Sequence, residues 1–368
     1  MTARARTVLA ALLAIALAVV AAQAQPPRTP VKAPLAWIDV HMHLVAGRSP
    51  TADYPGAAEA AIREMDEFGI AMAIILPTPQ TTDQRPHDYD AYANVLRRHR
   101  GRFAFLGGGG TLNATLHAHA DPGKVTAEVK REFAAAAERM VDDGASGFGE
   151  IASLHISATA GHPYEFVPAD HPLLLVLTDV AARRDVPIDL HMDATEGETP
   201  IPPRFAGGAN PSTLPDTLGT LPRLLAHNPK AKIVWAHGAS DPIGGMTAAT
   251  IGRLMDAHPN LYVSLRVVGP QAPVANKVFG PGGIEPAWSE LLTRHADRFV
   301  IGSDSFMVAS SVRGSGPGRT FAERNAPKLN ATNRFLSLLP GEIAEKIGRD
   351  NAVRIYRLTP GRGPERRP

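Results

Sequence analysis

Short apolar runs, often β-branched, alternate along this chain with longer stretches whose apolar positions recur at helical spacing. The runs at 37–43, 71–77, 102–107, 146–152, 187–192, 232–237, 261–267 and 299–304 read as strands. Between them, 57–68, 88–100, 124–142, 171–184, 215–227, 247–257, 286–297 and 328–338 read as helices, and 341–358 adds terminal helical turns. Eight strands, each followed by a helix, is the count of an α/β fold closed as a (β/α)8 TIM barrel. The period alone does not settle closure, because an open doubly wound sheet also repeats βα units.

The connections add direction to this pattern. Links from helix to strand are brief, as in "RRDVP" and "AHPN", whereas several links from strand to helix are long and rich in Pro and Gly. The long ones are "DATEGETPIPPRFAGGANPSTLP" after the fifth strand, "VGPQAPVANKVFGPGGIEP" after the seventh and "SFMVASSVRGSGPGRTFAER" after the eighth. In βα barrels these loops form the working face, so the chemistry is expected at the carboxyl ends of the strands.

Those ends carry a distinctive set of side chains. In "WIDVHMHL" (37–44), a regular strand places His41 and His43 on one face with Asp39, and Ile38, Val40 and Met42 on the other. Two imidazoles on one face suit a divalent metal, although the stretch by itself fits a solvated surface strand equally well. Further strands end in Glu150, His191, His237 and Asp304. Six metal-capable side chains in phase at matching strand ends can converge over one barrel mouth, which scattered surface residues would not do. A metal centre is therefore expected.

Taken in order, "DVHMH", "GFGEIAS", "DLHMD", "VWAHG", "IGSDS" and the closing "IGRDNAVRIYRL" resemble the amidohydrolase superfamily, in its amidohydrolase-related branch of metal-dependent TIM-barrel enzymes. The resemblance implies one metal on His41, His43 and Asp304, and a second on His191 and His237, with Glu150 bridging the two. Other members bridge with a carboxylated lysine, but the lysine nearest to the fourth strand, Lys130, falls in a predicted helix. Single-metal members also exist, in which the strand-six histidine contacts substrate or water instead. The implied activity is hydrolysis of an amide, ester, lactone or phosphoester by a metal-activated water, with Asp304 as proton acceptor and Zn²⁺ as the expected ion. Zinc brings the pKa of its bound water from about 15.7 to near 7, which makes hydroxide available at neutral pH. The alternative is a metal-dependent decarboxylase or hydratase of a small or aromatic acid, since the branch contains these too. A binding protein without turnover fits less well, because Asp304 is retained.

His155, just past Glu150, and Arg266, in phase with Ser264 on the seventh strand, are the expected substrate contacts. Asp39 and Asp189 are expected either to orient neighbouring imidazoles or to serve the barrel interior. "LHAHA", with His117 and His119, reads as a solvated loop or helix start. Gly107–Gly110 reads as close backbone packing rather than a phosphate cradle, for no lysine follows at the needed spacing. His87, His99, His162, His171, His227, His258 and His295 read as surface residues.

The amino-terminal region changes the expected location. Arg4 and Arg6 precede an apolar run from Val8 to Ala22, and Ala22-Gln23-Ala24 fits a small-x-small cleavage site. Residues 1–24 are thus expected to be a secretory signal peptide, followed by a Pro-rich tether at 25–34, one domain at 35–358 and a disordered tail at 359–368. The 368 residues include no cysteine, which excludes disulfides and a lipid-modified cysteine anchor. The expectation is an exported, soluble protein, periplasmic in a Gram-negative source, without stable membrane insertion once the signal is cleaved. With 38 Lys and Arg against 36 Asp and Glu, and no basic stripe, a small-molecule substrate is expected and a nucleic-acid partner is not.

Overall fold

Parallel pairing runs through all eight predicted strands of the computed structural model, which describes residues 31–45, 53–79, 88–99, 101–158, 163–309 and 321–360. The expected signal peptide, the tether up to residue 30, the tail beyond 360, most of the loop after the eighth strand, His87 and His162 lie outside the described residues. The strands are β1 (Trp37–Val45), β2 (Ile70–Ile75), β3 (Phe103–Phe105), β4 (Phe148–His155), β5 (Pro187–Met192), β6 (Lys232–Gly238), β7 (Leu261–Leu265) and β8 (Phe299–Ile301). Their order is β3-β2-β1-β8-β7-β6-β5-β4. The path then returns to its start. Just past β3, Gly107 and Gly108 pair in parallel with Phe148 and Gly149 of β4, while Leu106 N donates to Ile75 O of β2 at 2.9 Å. One stretch, 103–108, therefore bonds β2 on one side and β4 on the other, and the eight strands form a ring.

Two apolar layers hold the ring. Its interior is filled by Ile38, Val40, Met72, Ile74, Leu76, Leu106, Val234 and Val300, and is floored by Ala352, Ile355 and Tyr356 from the terminal helix Asn351–Tyr356. The outer face, with Trp37, Phe148, Leu190, Trp235 and Phe299, packs against helix residues such as Met65, Leu177, Leu254 and Phe335. Each large side chain buried in this way contributes about 1.5–3 kcal/mol, so stability resides in these layers and the strand ends are free for chemistry.

Helices begin and end where local chemistry directs. Thr126 caps helix Ala127–Asp142 by accepting from Val129 N, and Gly69 ends helix Tyr54–Phe68 at φ +76°. Two stretches depart from the sequence pattern. The expected helix at 88–100 is only a turn at Tyr89–Ala91 and a short helix Ala93–Leu96, while helix Leu112–Ala118 fills the space after the glycines. The last long helix starts at Phe321 rather than 328 and carries Pro327 inside it, where the sequence pattern reads the proline as a boundary. The long loops after β5 and β7 fold back into small antiparallel pairs, Thr199–Pro200 with Thr213–Leu214 and Phe279–Gly280 with Gly283–Ile284.

Candidate metal centre

A shift in register decides which way the two histidines of β1 face. Asp39 pairs with Ala73 of β2, yet Met42 pairs with Ile75, so β1 spends one extra residue between them. Accordingly Ile38 and Val40 lie in the ring interior, but Met42 and Leu44 pack on the outer layer. The expected common face of Ile38, Val40 and Met42 does not exist. The bulge turns His41 and His43 inward above Ile38 and Val40. Asp39 is left out of their face and out of imidazole orientation. It accepts instead from Ser303 N at 2.9 Å, Ser303 Oγ at 2.5 Å and His41 N at 3.1 Å, which ties β1 to the end of β8.

Glu150 stands at the middle of the cluster. Its Oε2 lies 3.5 Å from Nε2 of both His41 and His43. Its Oε1 lies 2.6 Å from His191 Nδ1 and 3.1 Å from His237 Nε2. Gly109 makes room for this carboxylate's strand, since a Cβ there would sit 2.4 Å from Pro77 O and 3.0 Å from the Glu150 backbone. The glycine run thus serves close packing, as expected. Asp304 Oδ1 is 3.4 Å from His43 Nε2, and Asp304 Oδ2 is 3.2 Å from Arg266 Nε. His237 and Asp304 both adopt left-handed backbone, at φ +67° and +52°. Such conformations cost about 1–2 kcal/mol for a residue with a Cβ and persist where the surroundings impose them.

The six expected ligands therefore meet. Among the described residues, two groups bring one ligand atom from each member within 4.8 Å of the others: His41, Glu150 and His237, and His41, His43 and Asp304. His191 adjoins the first group, with Nδ1 3.0 Å from His237 Nε2. The fit of a cation rests on the donors themselves. Nε2 of His41 and of His43 are buried and lack a hydrogen-bond partner, whereas most buried polar atoms in proteins are paired. Their Nδ1 atoms are engaged, with Asp189 Oδ2 at 3.2 Å and Leu76 O at 2.9 Å, so each ring is fixed with its free nitrogen toward Glu150. Imidazole nitrogens with carboxylate oxygens are the donor set of zinc and similar divalent ions.

The charges are tightly balanced. Burial works against protonation of His41, but the Asp189 and Glu150 carboxylates outweigh it and hold the imidazole well above its usual range. Burial likewise opposes ionisation of Glu150, yet His41 and the surrounding imidazoles hold it well below the usual carboxylate range. His191 is treated in the same manner, burial being overcome by Asp193 and Glu150, which push it to about 10. For Asp304, burial is overcome chiefly by the Arg266 guanidinium, so it too is held well down. Protons thus sit where cations would, and metal binding would displace them.

The expected substrate contacts border this cluster. His155 is 9% exposed, with its ring 4.3 Å from that of His191 and its Nδ1 3.8 Å from Glu165 Oε2. Arg266 pairs with Asp304 while its side chain stays 31% exposed. Three expectations need correction. His117 is not solvated: its Nε2 lies 3.0 Å from Ala152 O, and burial lowers it to about 4. His171 is fully buried, where its Nδ1 accepts from Leu173 N and caps the helix that begins at Pro172. His295 is not a surface residue either, its side chain being 10% exposed beside Arg298 and Asp256. The sequence pattern also missed Asp193, Glu165 and Phe306, whose ring packs on His43 at 4.7 Å. Asp193 alone had a signal, its place two residues beyond His191.

No helix among the described residues is long and apolar enough to cross a membrane. No curated protein matches the chain. Similar solved structures include 5-carboxyvanillate decarboxylase from Novosphingobium aromaticivorans, complexed with manganese and 4-hydroxy-3-methoxy-5-nitrobenzoic acid (TM-score 0.49, 15% identity, 90% of this chain and 100% of that one). Another is dihydroorotase from Campylobacter jejuni (TM-score 0.43, 15% identity, 92% and 87%). A third is amidohydrolase 2 from Bifidobacterium longum subsp. infantis (TM-score 0.43, 15% identity, 88% and 100%). The family model for amidohydrolases matches residues 38–358, which takes in every strand of the ring but for Trp37 at the start of β1, and all six converging side chains. The chain belongs to the amidohydrolase family.

Proposed function

We propose that this is an exported hydrolase that cleaves an amide, ester, lactone or phosphoester bond with divalent cations, zinc foremost, held by His41, His43, Glu150, His191, His237 and Asp304. One observation carries the reading: Glu150 turns one oxygen to His41 and His43 and the other to His191 and His237. A carboxylate so divided suits two ions side by side, with Asp304 closing the His41–His43 side. Bound there, divalent cations supply Lewis acidity and bring the acidity of water into the neutral range. Asp304 is the proton acceptor in this reading. It is kept ionised by Arg266, receives the proton of the attacking water and returns it to the leaving group. Arg266 keeps part of its surface open and is suited to hold an anionic group of the substrate, while His155 lines the opposite rim. Export is supported by the charged and then apolar first two dozen residues.

A substrate panel on the metal-loaded protein tests this. Turnover of an ester, lactone, amide or phosphotriester supports hydrolysis. Release of CO2 from aromatic carboxylates, with the hydrolytic substrates untouched, overturns it in favour of the lyase alternative.

A further inference from the structure

On the outer side of the ring, behind Asp304, helix Phe321–Leu338 carries Asn325 and Lys328, three residues apart and so neighbours on the helix surface. Lys328 Nζ donates to the main-chain carbonyl of Asp304 at 2.5 Å. Asn325 grips the chain two residues further on: its Nδ2 donates to Phe306 O at 3.0 Å, and its Oδ1 accepts from Phe306 N at 3.4 Å. The same Nδ2 donates to Glu64 Oε2, from helix Tyr54–Phe68, at 3.0 Å, which fixes the amide.

Both gripped residues belong to the His41–His43 half of the centre. Asp304 holds a left-handed backbone at φ +52°, and a residue with a Cβ keeps that conformation only when its surroundings enforce it. Its own N–H already donates to His41 O at 2.8 Å, so the lysine secures the other end of the residue. Phe306 pairs with His43 along the strand Ser305–Val308 and packs its ring on the imidazole. A lysine that commits its ammonium to one carbonyl gives up rotamer freedom and hydration, a cost that a merely space-filling residue would not incur.

We infer that Lys328 and Asn325 are positioning residues, a clamp from the outer helix that sets the direction of the Asp304 carboxylate and the seat of His43. The inference rests on the proposed metal-dependent function. It predicts an asymmetry: loss of the clamp weakens the His41–His43–Asp304 site and spares the His191–His237 side.

The test compares Lys328→Met and Asn325→Leu with Lys346→Met, a control that removes a lysine paired with Asp297, which precedes β8 whereas Asp304 follows it. Zinc affinities are measured by chelator competition, and cobalt spectra report the surroundings of each ion. The expected result is a drop of about 10- to 100-fold at one site only, the range for lost supporting contacts, with the control unchanged. Equal losses at both sites alongside a fall in Tm would show a structural role and overturn the inference, as would wild-type affinities in both clamp variants. If the wild-type protein binds no metal, the proposed function fails instead. A crystal structure of Lys328→Met then decides the clamp: Asp304 leaving the left-handed region supports it, and an unmoved Asp304 refutes it.

Discussion

Replacing Asp189 reports how firmly the first histidine of the site must be held. Asp189 is fully buried, and its Oδ2 lies 3.2 Å from His41 Nδ1, which leaves His41 Nε2 facing Glu150. A hydrogen bond to a charged group contributes about 1.5–3 kcal/mol, against about 1 kcal/mol for a neutral one. Asp189→Asn keeps an acceptor of the same shape and loses the charged part, about 1 kcal/mol, so zinc affinity should fall about fivefold. Asp189→Leu removes the acceptor altogether and frees the ring to turn, so the loss should reach about 10- to 100-fold. Chelator competition on the purified variants gives the affinities, and far-UV circular dichroism checks that the ring has folded. The reasoning fails if the leucine variant binds zinc within twofold of wild type, because His41 would then be oriented by something other than Asp189.

Two further outcomes follow from single residues. Asp304→Asn should keep most of the metal and lose turnover, since the amide preserves an oxygen ligand but cannot take the proton of the attacking water; near-normal kcat with metal in place would move the proton acceptor elsewhere. Glu64→Gln should stabilise the protein above pH 7. Burial raises the Glu64 carboxyl from 4.5 to about 7, so its favourable contribution is present below pH 4.5 and disappears as pH rises through 7, where the ionised form costs about 3 kcal/mol. Tm against pH for the two proteins should therefore draw apart as pH rises from about 5 to 7 and stay apart above it, and curves that remain parallel across that window would contradict this.

The strands were legible because each is a short apolar run bounded by turn residues, and all eight lie within a few residues of their expected positions. The ligand positions were legible for a related reason: a barrel brings its strand ends together, so Glu150, His191, His237 and Asp304 meet although they are far apart in the chain. What escaped was anything set by register or by contacts across the fold. The bulge in β1 leaves no mark in "WIDVHMHL", so alternation assigned Ile38, Val40 and Met42 to one face. Asp189 was read beside His191, its neighbour in sequence, but it serves His41, 148 residues away. Lys328 lies one residue after a proline and looked like a helix start, and only the folded chain places it on Asp304. His171 was misjudged because a histidine before a proline looks like a loop residue, whereas here it caps a buried helix end.

The most direct test of the account is the number of ions bound by the wild-type protein and by Glu150→Gln, measured together by elemental analysis after equilibration with zinc. Because Glu150 divides its oxygens between two pairs of histidines, the account predicts two ions per chain in the wild type. In the glutamine variant, which cannot bridge as an anion, it predicts one ion. One ion in both proteins would contradict it, and would mean that Glu150 is a structural partner of the imidazoles rather than the bridge between two metals.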